Sequence, residues 1–371
     1  NLDSPIFGEP TVAEPIAAGE FGFVKPEHAE FPPIIIIAVT NLCDMACIHC
    51  AHPVMKKAPG YRGTFMKPEI HTKIVEDTKR FKDQLWVFRY AADGESLLHP
   101  KFLAFVEETK RAGIGPVDLT TNAMSFTEES MRCLLLAPID VIDVSLDAYS
   151  KETYEKIRIR GKFDKVIANL KRLVELRNEL GSPTKIMTSI IQQQEALDEV
   201  EAFKEFWGQW VDEVLVRGLN TDLGIVNVSE AYFRDDLARW PCPQFWKRVT
   251  INHNGDIRFC VEDWFNRGVV ANIRDHSIQE IWQSPIYEKF RELHRTGRWD
   301  EMKLCKPCLD WQHMEWDHGF EKAINKVMGK EEPTSRSNQS VSYDGARGAP
   351  PPSGRASAPR RPARPRLRAR L

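Results

Sequence analysis

Two rhythms of apolar and polar positions alternate along this chain. Short, nearly continuous apolar runs rich in β-branched residues occupy 34–39, 86–91, 117–121, 141–146, 185–191 and 213–216. Runs of that length and density read as strands buried on both faces of a sheet. Between them, segments 67–81, 101–112, 128–136, 163–180 and 197–207 return apolar residues every three to four positions, the spacing of amphipathic helices. Strand and helix repeated in this order predict an α/β fold with a parallel sheet and right-handed crossovers. Six such units make a (β/α)6 partial barrel, open where a complete TIM barrel closes.

The rhythm changes at both ends. Residues 1–33 are rich in Pro, Gly and Glu without a sustained period and read as an extended arm over the 34–240 barrel. Residues 241–330 lack long apolar runs but hold ordered cysteines, so a small module that depends on metal for its core is expected. From 331 to 371 Pro, Ser, Gly and Arg dominate, a composition that cannot bury enough apolar area to fold.

The chemistry of the chain starts in the loop after the first strand. Cys43, Cys47 and Cys50 are set as Cys-x3-Cys-x2-Cys. Three thiolates at that spacing hold three corners of a cubane iron–sulfur cluster and leave one iron open; a zinc site completed by His49 or His52 is the alternative. The pattern resembles the signature of the radical S-adenosylmethionine (SAM) enzymes. The resemblance implies that SAM chelates the open iron and is cleaved reductively to a 5′-deoxyadenosyl radical. It also implies the partial barrel, with its site at the C-terminal ends of the strands.

Further positions are carried over by that resemblance. His49 stands where members place an aromatic residue against the adenine. Asp93-Gly94-Glu95 is similar to the family's Gly-Gly-Glu turn after the second strand, with the first glycine replaced; Gly94 and Glu95 are expected at the SAM amino group. Asn122 after the third strand, and Ser145 and Asp147 at the end of the fourth, are expected along the ribose and methionyl parts. Arg158 or Arg160, before the Gly161-Lys162-Phe163 stretch, is the candidate for the SAM carboxylate, with Arg158 taken forward.

A second set follows as Cys242-x17-Cys260-x44-Cys305-x2-Cys308. Four thiolates fit a closed tetrahedral site, with zinc as the plain alternative. The arrangement resembles the twitch domain, the shortened SPASM domain of many radical SAM enzymes. It implies one auxiliary [4Fe–4S] cluster, hence two clusters per chain. Cys133 lies outside both sets and reads as core packing.

What the resemblance implies for the reaction is hydrogen abstraction from a small polar substrate of sugar, aminocyclitol or nucleoside type. Oxidation of an alcohol, with the auxiliary cluster as electron acceptor, is the leading expectation, because the second cysteine spacing is similar to that of aminocyclitol-oxidising members. Redox-neutral epimerisation or decarboxylation, and peptide maturation, are the alternatives; the arm before Ile34 is short for the recognition domain that many peptide-modifying members carry. Glu262 and Asp263 after Cys260, with Gln192 and Arg217 at the ends of strands five and six, are the candidate substrate contacts. A low-potential electron donor such as flavodoxin or ferredoxin is the implied partner.

Charge and composition narrow the field further. The formal net charge is −2 over 371 residues, which favours neither nucleic acid nor a membrane surface as partner of the folded part. An RNA-binding metalloprotein using the Arg-rich tail is the non-enzyme alternative. No secretory pattern and no membrane-length apolar run stand out, so a cytoplasmic protein with metal-bound rather than disulfide-bonded cysteines is expected.

Overall fold

Ile34–Ile37 forms β1 near the middle of a nine-stranded sheet in the computed structural model, which describes residues 6–7, 21–229, 232–234, 236–314, 316 and 319–330. Most of the N-terminal arm and the whole of 331–371 lie outside the described residues. On one side of β1 come β2 (Val87–Tyr90), β3 (Val117–Thr121), β4 (Val141–Ser145), β5 (Lys185–Ile191) and β6 (Glu213–Arg217), all parallel and in sequence order. The other side carries β7 (Arg248–Ile251), parallel to β1, then the antiparallel β8 (Asp256–Arg258) and β9 (Val269–Asn272).

Helices cover the outer face. They run in chain order as α1 (His52–Met55), α2 (Pro68–Lys79), α3 (Phe102–Arg111), α4 (Glu128–Leu136), α5 (Lys151–Ile157), α6 (Phe163–Glu179) and α7 (Val200–Trp207). The cysteine-rich segment adds α8 (Gln244–Lys247), α9 (Ile278–Trp282) and α10 (Pro285–Arg295), and α11 (Gly319–Val327) ends the described chain. Local chemistry sets several starts: Thr127 and Ser130 form a reciprocal cap on α4, as do Ser277 and Glu280 on α9, each worth about 1 kcal/mol. The buried face of α6 carries Val166, Leu170, Leu173 and Val174 at helical spacing, each side chain contributing roughly 1.5–3 kcal/mol of burial.

The two-residue period of the strands separates two cores. Ile35 and Ile37 point outward into the main core under the helices, whereas Ile34 and Ile36 point inward with Val87, Val141, Met187 and Leu215. That inner cluster is completed by Phe320, Ala323 and Ile324 of α11. The last described helix therefore fills the inside of the partial barrel. Lys247 and Arg248 hold its Glu321 at 2.7 and 3.4 Å, and Lys326 reaches Glu213 at 2.5 Å.

The cysteine-rich module departs from expectation in one respect. Its core is aromatic, with Phe245, Trp246, Phe259, Trp282, Tyr287 and Phe290 all buried and continuous with the main core. These rings come singly or in pairs from α8, the residue after β8, α9 and α10 instead of in runs, so a search for apolar runs passes over them. Parts of the N-terminal segment lie on this module: Lys303 N–H donates to the Ile6 carbonyl, and the Phe7 ring packs 5.7 Å from Phe290. Cys133 is half-buried on α4, outside the packed interior.

Candidate active site

The Cys43–Cys50 loop leaves β1 at the C-terminal end of the sheet and is tied down on three sides. Ala46 and Ile48 N–H groups donate to the carbonyls of Ile159 and Ile157 at 2.9 and 3.0 Å. Ala51 N–H donates to Asp222 Oδ2 at 2.8 Å, and the His52 ring meets the Asn41 carbonyl at 2.9 Å. The loop is partly exposed but its thiols turn inward: burial pushes Cys43 up to about 12, and also raises Cys47 and Cys50. Thiolates so placed need a cation to hold their charge. Donors already face two of the sulfurs, His52 N–H at 3.4 Å from Cys50 Sγ and Asn122 Nδ2 at 3.9 Å from Cys43 Sγ. This all-thiolate, donor-flanked set fits an iron–sulfur cluster.

Backbone strain rings the same end of the sheet. Ala92, Ala123 and Asp147 each lie two residues past the end of β2, β3 and β4, and each has a left-handed backbone, with φ of 85°, 59° and 62°. Non-glycine residues adopt such angles at a cost of order 1 kcal/mol or more, and they gather at ligand clamps. Gly94 follows the first of them. A Cβ at that position would meet the Leu42 and Thr40 carbonyl oxygens at 2.5 and 2.6 Å, so glycine lets the turn press against the cysteine loop.

The residues carried over for SAM lie around this loop, linked to one another. Glu95 is buried; its carboxylate accepts from Thr121 Oγ1 and Asn122 N–H, both at 2.8 Å, and from Leu97 N–H at 3.2 Å. Burial outweighs these donors and raises it to about 7. Asn122 Nδ2 also donates to Asp44 Oδ1 at 2.8 Å. Arg158 donates through Nε and Nη2 to Asp147 Oδ2, at 2.9 and 2.5 Å, and His49 Nε2 stands 3.3 Å from the same oxygen. Burial works against ionised Asp147, yet Arg158 and then His49 hold its carboxylate below the usual range. Arg158, expected to grip a ligand carboxylate, is thus engaged with Asp147, because a buried guanidinium takes the nearest buried carboxylate. Ser145 ends β4 beside Ser189 of β5. Gln193, which the sequence reading did not single out, contacts His49 Nδ1 at 3.3 Å.

The second cysteine set lines a separate small cavity, where Cys242, Cys260, Cys305 and Cys308 share the wall with Phe245, Phe259 and Leu304. Burial raises all four thiols, Cys308 to about 12. Gln244 Nε2 points at Cys260 Sγ from 3.6 Å, and the Cys242 N–H donates to His294 Nδ1 at 3.2 Å. Among the described residues no three His, Cys, Asp or Glu side chains converge about a single-ion point. Four buried thiols lining one cavity are an all-thiolate donor set that fits an iron–sulfur cluster.

Beside the four-cysteine cavity the barrel opens into a cleft of about 400 Å³. Arg89, Thr120, Gln192, Arg217, Asn220 and Glu262 face it, over the Phe320 ring of α11. Its cations are already paired: Arg89 with Asp118 at 2.8 Å and with Thr120 at 2.7 Å, and Arg217 with Asp143. The Arg89 guanidinium also lies 3.4 Å above the Phe320 ring. Glu262 lines both the cleft and the four-cysteine cavity. It accepts from Asn220 Nδ2 at 3.1 Å and is hydrogen-bonded to Asp222; burial, then Asp222, raises it well above the carboxylate range. Asp263, its neighbour in the sequence reading, lines neither cavity. Its buried carboxylate accepts from Gly268 N–H at 2.6 Å and holds the turn between β8 and β9. Asp222 was not legible beforehand: it is an ordinary loop aspartate 171 positions from the Ala51 amide it meets.

Comparison with known proteins agrees with this layout. The Radical SAM superfamily model matches residues 37–206, and the iron–sulfur cluster-binding SPASM domain model matches residues 242–309. A tungsten-containing aldehyde ferredoxin oxidoreductase cofactor-modifying protein of Pyrococcus furiosus is 22% identical over 50% of this chain and 51% of its own length. The mycofactocin maturase MftC of Mycobacterium tuberculosis is 30% identical over 36% of this chain and 32% of its own. These matches span at most about half of the relatives' length. Among solved structures, BtrN in complex with AdoMet and 2-DOIA aligns with a TM-score of 0.52 at 18% identity, covering 78% of this chain and 95% of that one. SuiB of Streptococcus suis bound to its precursor peptide SuiA aligns at 0.59 and 13%, covering 83% and 75%. No described helix is long and apolar enough to cross a membrane.

Proposed function

The chain belongs to the radical SAM superfamily with a C-terminal SPASM-type domain, and on that premise we propose that it oxidises an alcohol on a small polar substrate held in the central cleft. Its cofactors are [4Fe–4S] clusters and SAM. We assign Cys43, Cys47 and Cys50 to the SAM-binding cluster, and Cys242, Cys260, Cys305 and Cys308 to the auxiliary one. When bound, these groups supply a 5′-deoxyadenosyl radical that takes one hydrogen atom and an acceptor for one electron.

One observation carries the reading: Glu262 borders both the cleft and the four-cysteine cavity. Glu262 is held well above the carboxylate range by burial and by Asp222, its hydrogen-bonded neighbour, so the two carboxyl groups share a proton and keep one negative charge between them. A substrate hydroxyl in the cleft can pass its proton to this pair on the side where the electron departs, so that one hydrogen atom, one proton and one electron leave together. Arg217 and Gln192 are assigned to binding. Their elements meet at the rim, where Gln192 N–H donates to the Arg217 carbonyl at 2.8 Å, and the fixed Arg217–Asp143 pair keeps the guanidinium in place. Asn122, Glu95, Gly94, Ser145 and His49 are assigned to the SAM side.

The test is SAM cleavage with dithionite against a panel of sugars, aminocyclitols and nucleosides, followed by mass spectrometry for a product lacking two hydrogens. Glu262→Gln should keep 5′-deoxyadenosine formation and lose that product. The cleft, about 400 Å³, lies within the roughly 300–1,000 Å³ of an ordinary small-molecule pocket, which supports a small substrate over peptide modification. A peptide product with no turnover on the panel would establish peptide modification instead.

A further inference from the structure

Arg239 lines the four-cysteine cavity and forms no ion pair with Asp or Glu among the described residues. Its Nη2 donates to the Cys305 carbonyl at 2.9 Å, and its guanidinium carbon lies 4.9 and 5.9 Å from the Trp299 and Trp311 ring centres. These contacts fix the group and leave its charge unanswered. Its buried Nε has no hydrogen-bond partner among the described residues. The two acids in the same wall are engaged elsewhere. Asp310 accepts from the Thr221 and Leu223 N–H groups at 2.5 and 2.9 Å, and Glu262 accepts from Asn220 at 3.1 Å.

A second donor shares the wall. His294 Nδ1 accepts from the Cys242 N–H at 3.2 Å, so the neutral ring carries its proton on Nε2. That atom too is buried with no partner among the described residues. Burial, and then Arg239, keep the ring neutral by pushing its pKa well below the ordinary value. Buried donors without partners are unfavourable and uncommon, and two of them around four thiols call for an acceptor in the cavity. Burial raises the thiols of Cys242, Cys305 and Cys308, and Arg239 is among the groups that draw each of them back down.

We propose that Arg239 supplies the fixed counter-charge of the auxiliary cluster and raises its reduction potential, so that it accepts the electron of the substrate radical. The proposal rests on the oxidation reading above. A cluster held by four thiolates is already negative, and one electron adds a further negative charge. Among the described residues that line the cavity Arg239 is the one cation, and a fixed guanidinium stabilises that added charge. As the electron leaves the substrate radical, its hydroxyl proton goes to the Glu262–Asp222 pair and a carbonyl remains.

The test is a potentiometric titration followed by electron paramagnetic resonance. It uses the reconstituted full chain carrying Cys43/Cys47/Cys50→Ala, so that the auxiliary cluster alone responds. Adding Arg239→Gln should lower the midpoint potential by about 59 mV or more, a tenfold loss in the one-electron reduction equilibrium. Arg239→Lys, which keeps the charge, should restore at least half of that shift. An unchanged potential in Arg239→Gln overturns the proposal. So does an equal drop in Arg239→Lys, because charge is then not the cause. Where Arg239→Gln fails to hold the cluster, iron content decides. Retention of about four irons by Arg239→Lys supports the counter-charge, whereas loss from both variants makes Arg239 a structural contact of Cys305 and overturns it. Zinc in place of iron in the parent protein overturns the cluster assignment instead. The expected potentials with no product from the substrate panel overturn the oxidation reading and leave the counter-charge standing.

Discussion

Asp93 and Arg258 meet at 2.8 Å with their side chains 3% and 0% exposed, and join the turn after β2 to the hairpin of the cysteine-rich module. Asp93 stands where related turns carry glycine. Here its side chain binds a residue of the neighbouring module, and the adjoining Gly94 packs on the Cys43 loop. The pair thus ties the turn beside the Cys43 loop to the strand that leads to Cys260.

Removing one partner leaves a buried charge alone, so Arg258→Met should destabilise the protein by about 3–5 kcal/mol. Asp93→Asn added to Arg258→Met should recover part of that loss. Urea titration of the single and double variants measures both. Equal stability of wild type and single variant would show that the pair contributes nothing.

Gly94→Ala forces a methyl group into the Thr40 and Leu42 carbonyls, an overpacking worth about 1–3 kcal/mol. The displaced loop carries Cys43, so the expected result is loss of most SAM cleavage with the second cluster intact. Iron analysis beside a 5′-deoxyadenosine assay distinguishes this from general unfolding.

Reconstituted protein should hold about eight irons, two [4Fe–4S] clusters. The Cys43/Cys47/Cys50→Ala variant should keep about half of them and form no 5′-deoxyadenosine. Zinc in place of iron by elemental analysis would refute the assignment of both cysteine sets.

The aromatic core of the cysteine-rich module gives Cys305→Ala/Cys308→Ala a means to fold without its metal. That variant should cleave SAM but yield little oxidised product. Wild-type product formation in a folded variant, checked by circular dichroism, would make the second cluster structural and favour a redox-neutral reaction.

His71 is sealed between Tyr90 and Glu108, at 2.8 and 2.7 Å, and burial lowers its pKa from 6.5 to about 4. The ring therefore stays neutral in the folded protein where the unfolded chain would already be protonated. Its contribution is complete above about pH 6.5 and is lost as pH falls toward 4, by at most about 1.4 kcal/mol per pH unit. Thermal unfolding between pH 7 and 5 should show this slope, and His71→Gln should flatten it. His28, lowered to about 4 chiefly by burial, leaves a remaining slope in that variant.

Much of the architecture was legible because it is written in local periodicity. The strands at 117–121 and 185–191 and the helix at 128–136 match their observed bounds, since continuous apolar runs and a Thr127 cap act over a few residues. The inward turn of α11 was not legible. Its Phe320 packs against Leu215 and under Arg89 from a sequence distance of more than 100 residues, and no pattern within the helix specifies which surface receives it.

The sequence by itself determined the chemistry of the site: two sets of cysteines at spacings that hold clusters, and a strand order that brings the first set to the C-terminal end of the sheet. Spacing suffices for Cys43, Cys47 and Cys50, and for Cys305 with Cys308, because each of these groups lies within one loop or turn, whereas Cys242 and Cys260 join Cys305 and Cys308 only through the fold. Only the tertiary structure decided which polar residues serve ligands and which serve one another. Arg158 is engaged by Asp147, Asp263 by a turn, and Asp93 by Arg258, while Glu262 alone of the adjacent carboxylates reaches both cavities. The reason is physical: a buried charge must find a partner at about 3 Å, and that partner is chosen by packing between distant segments.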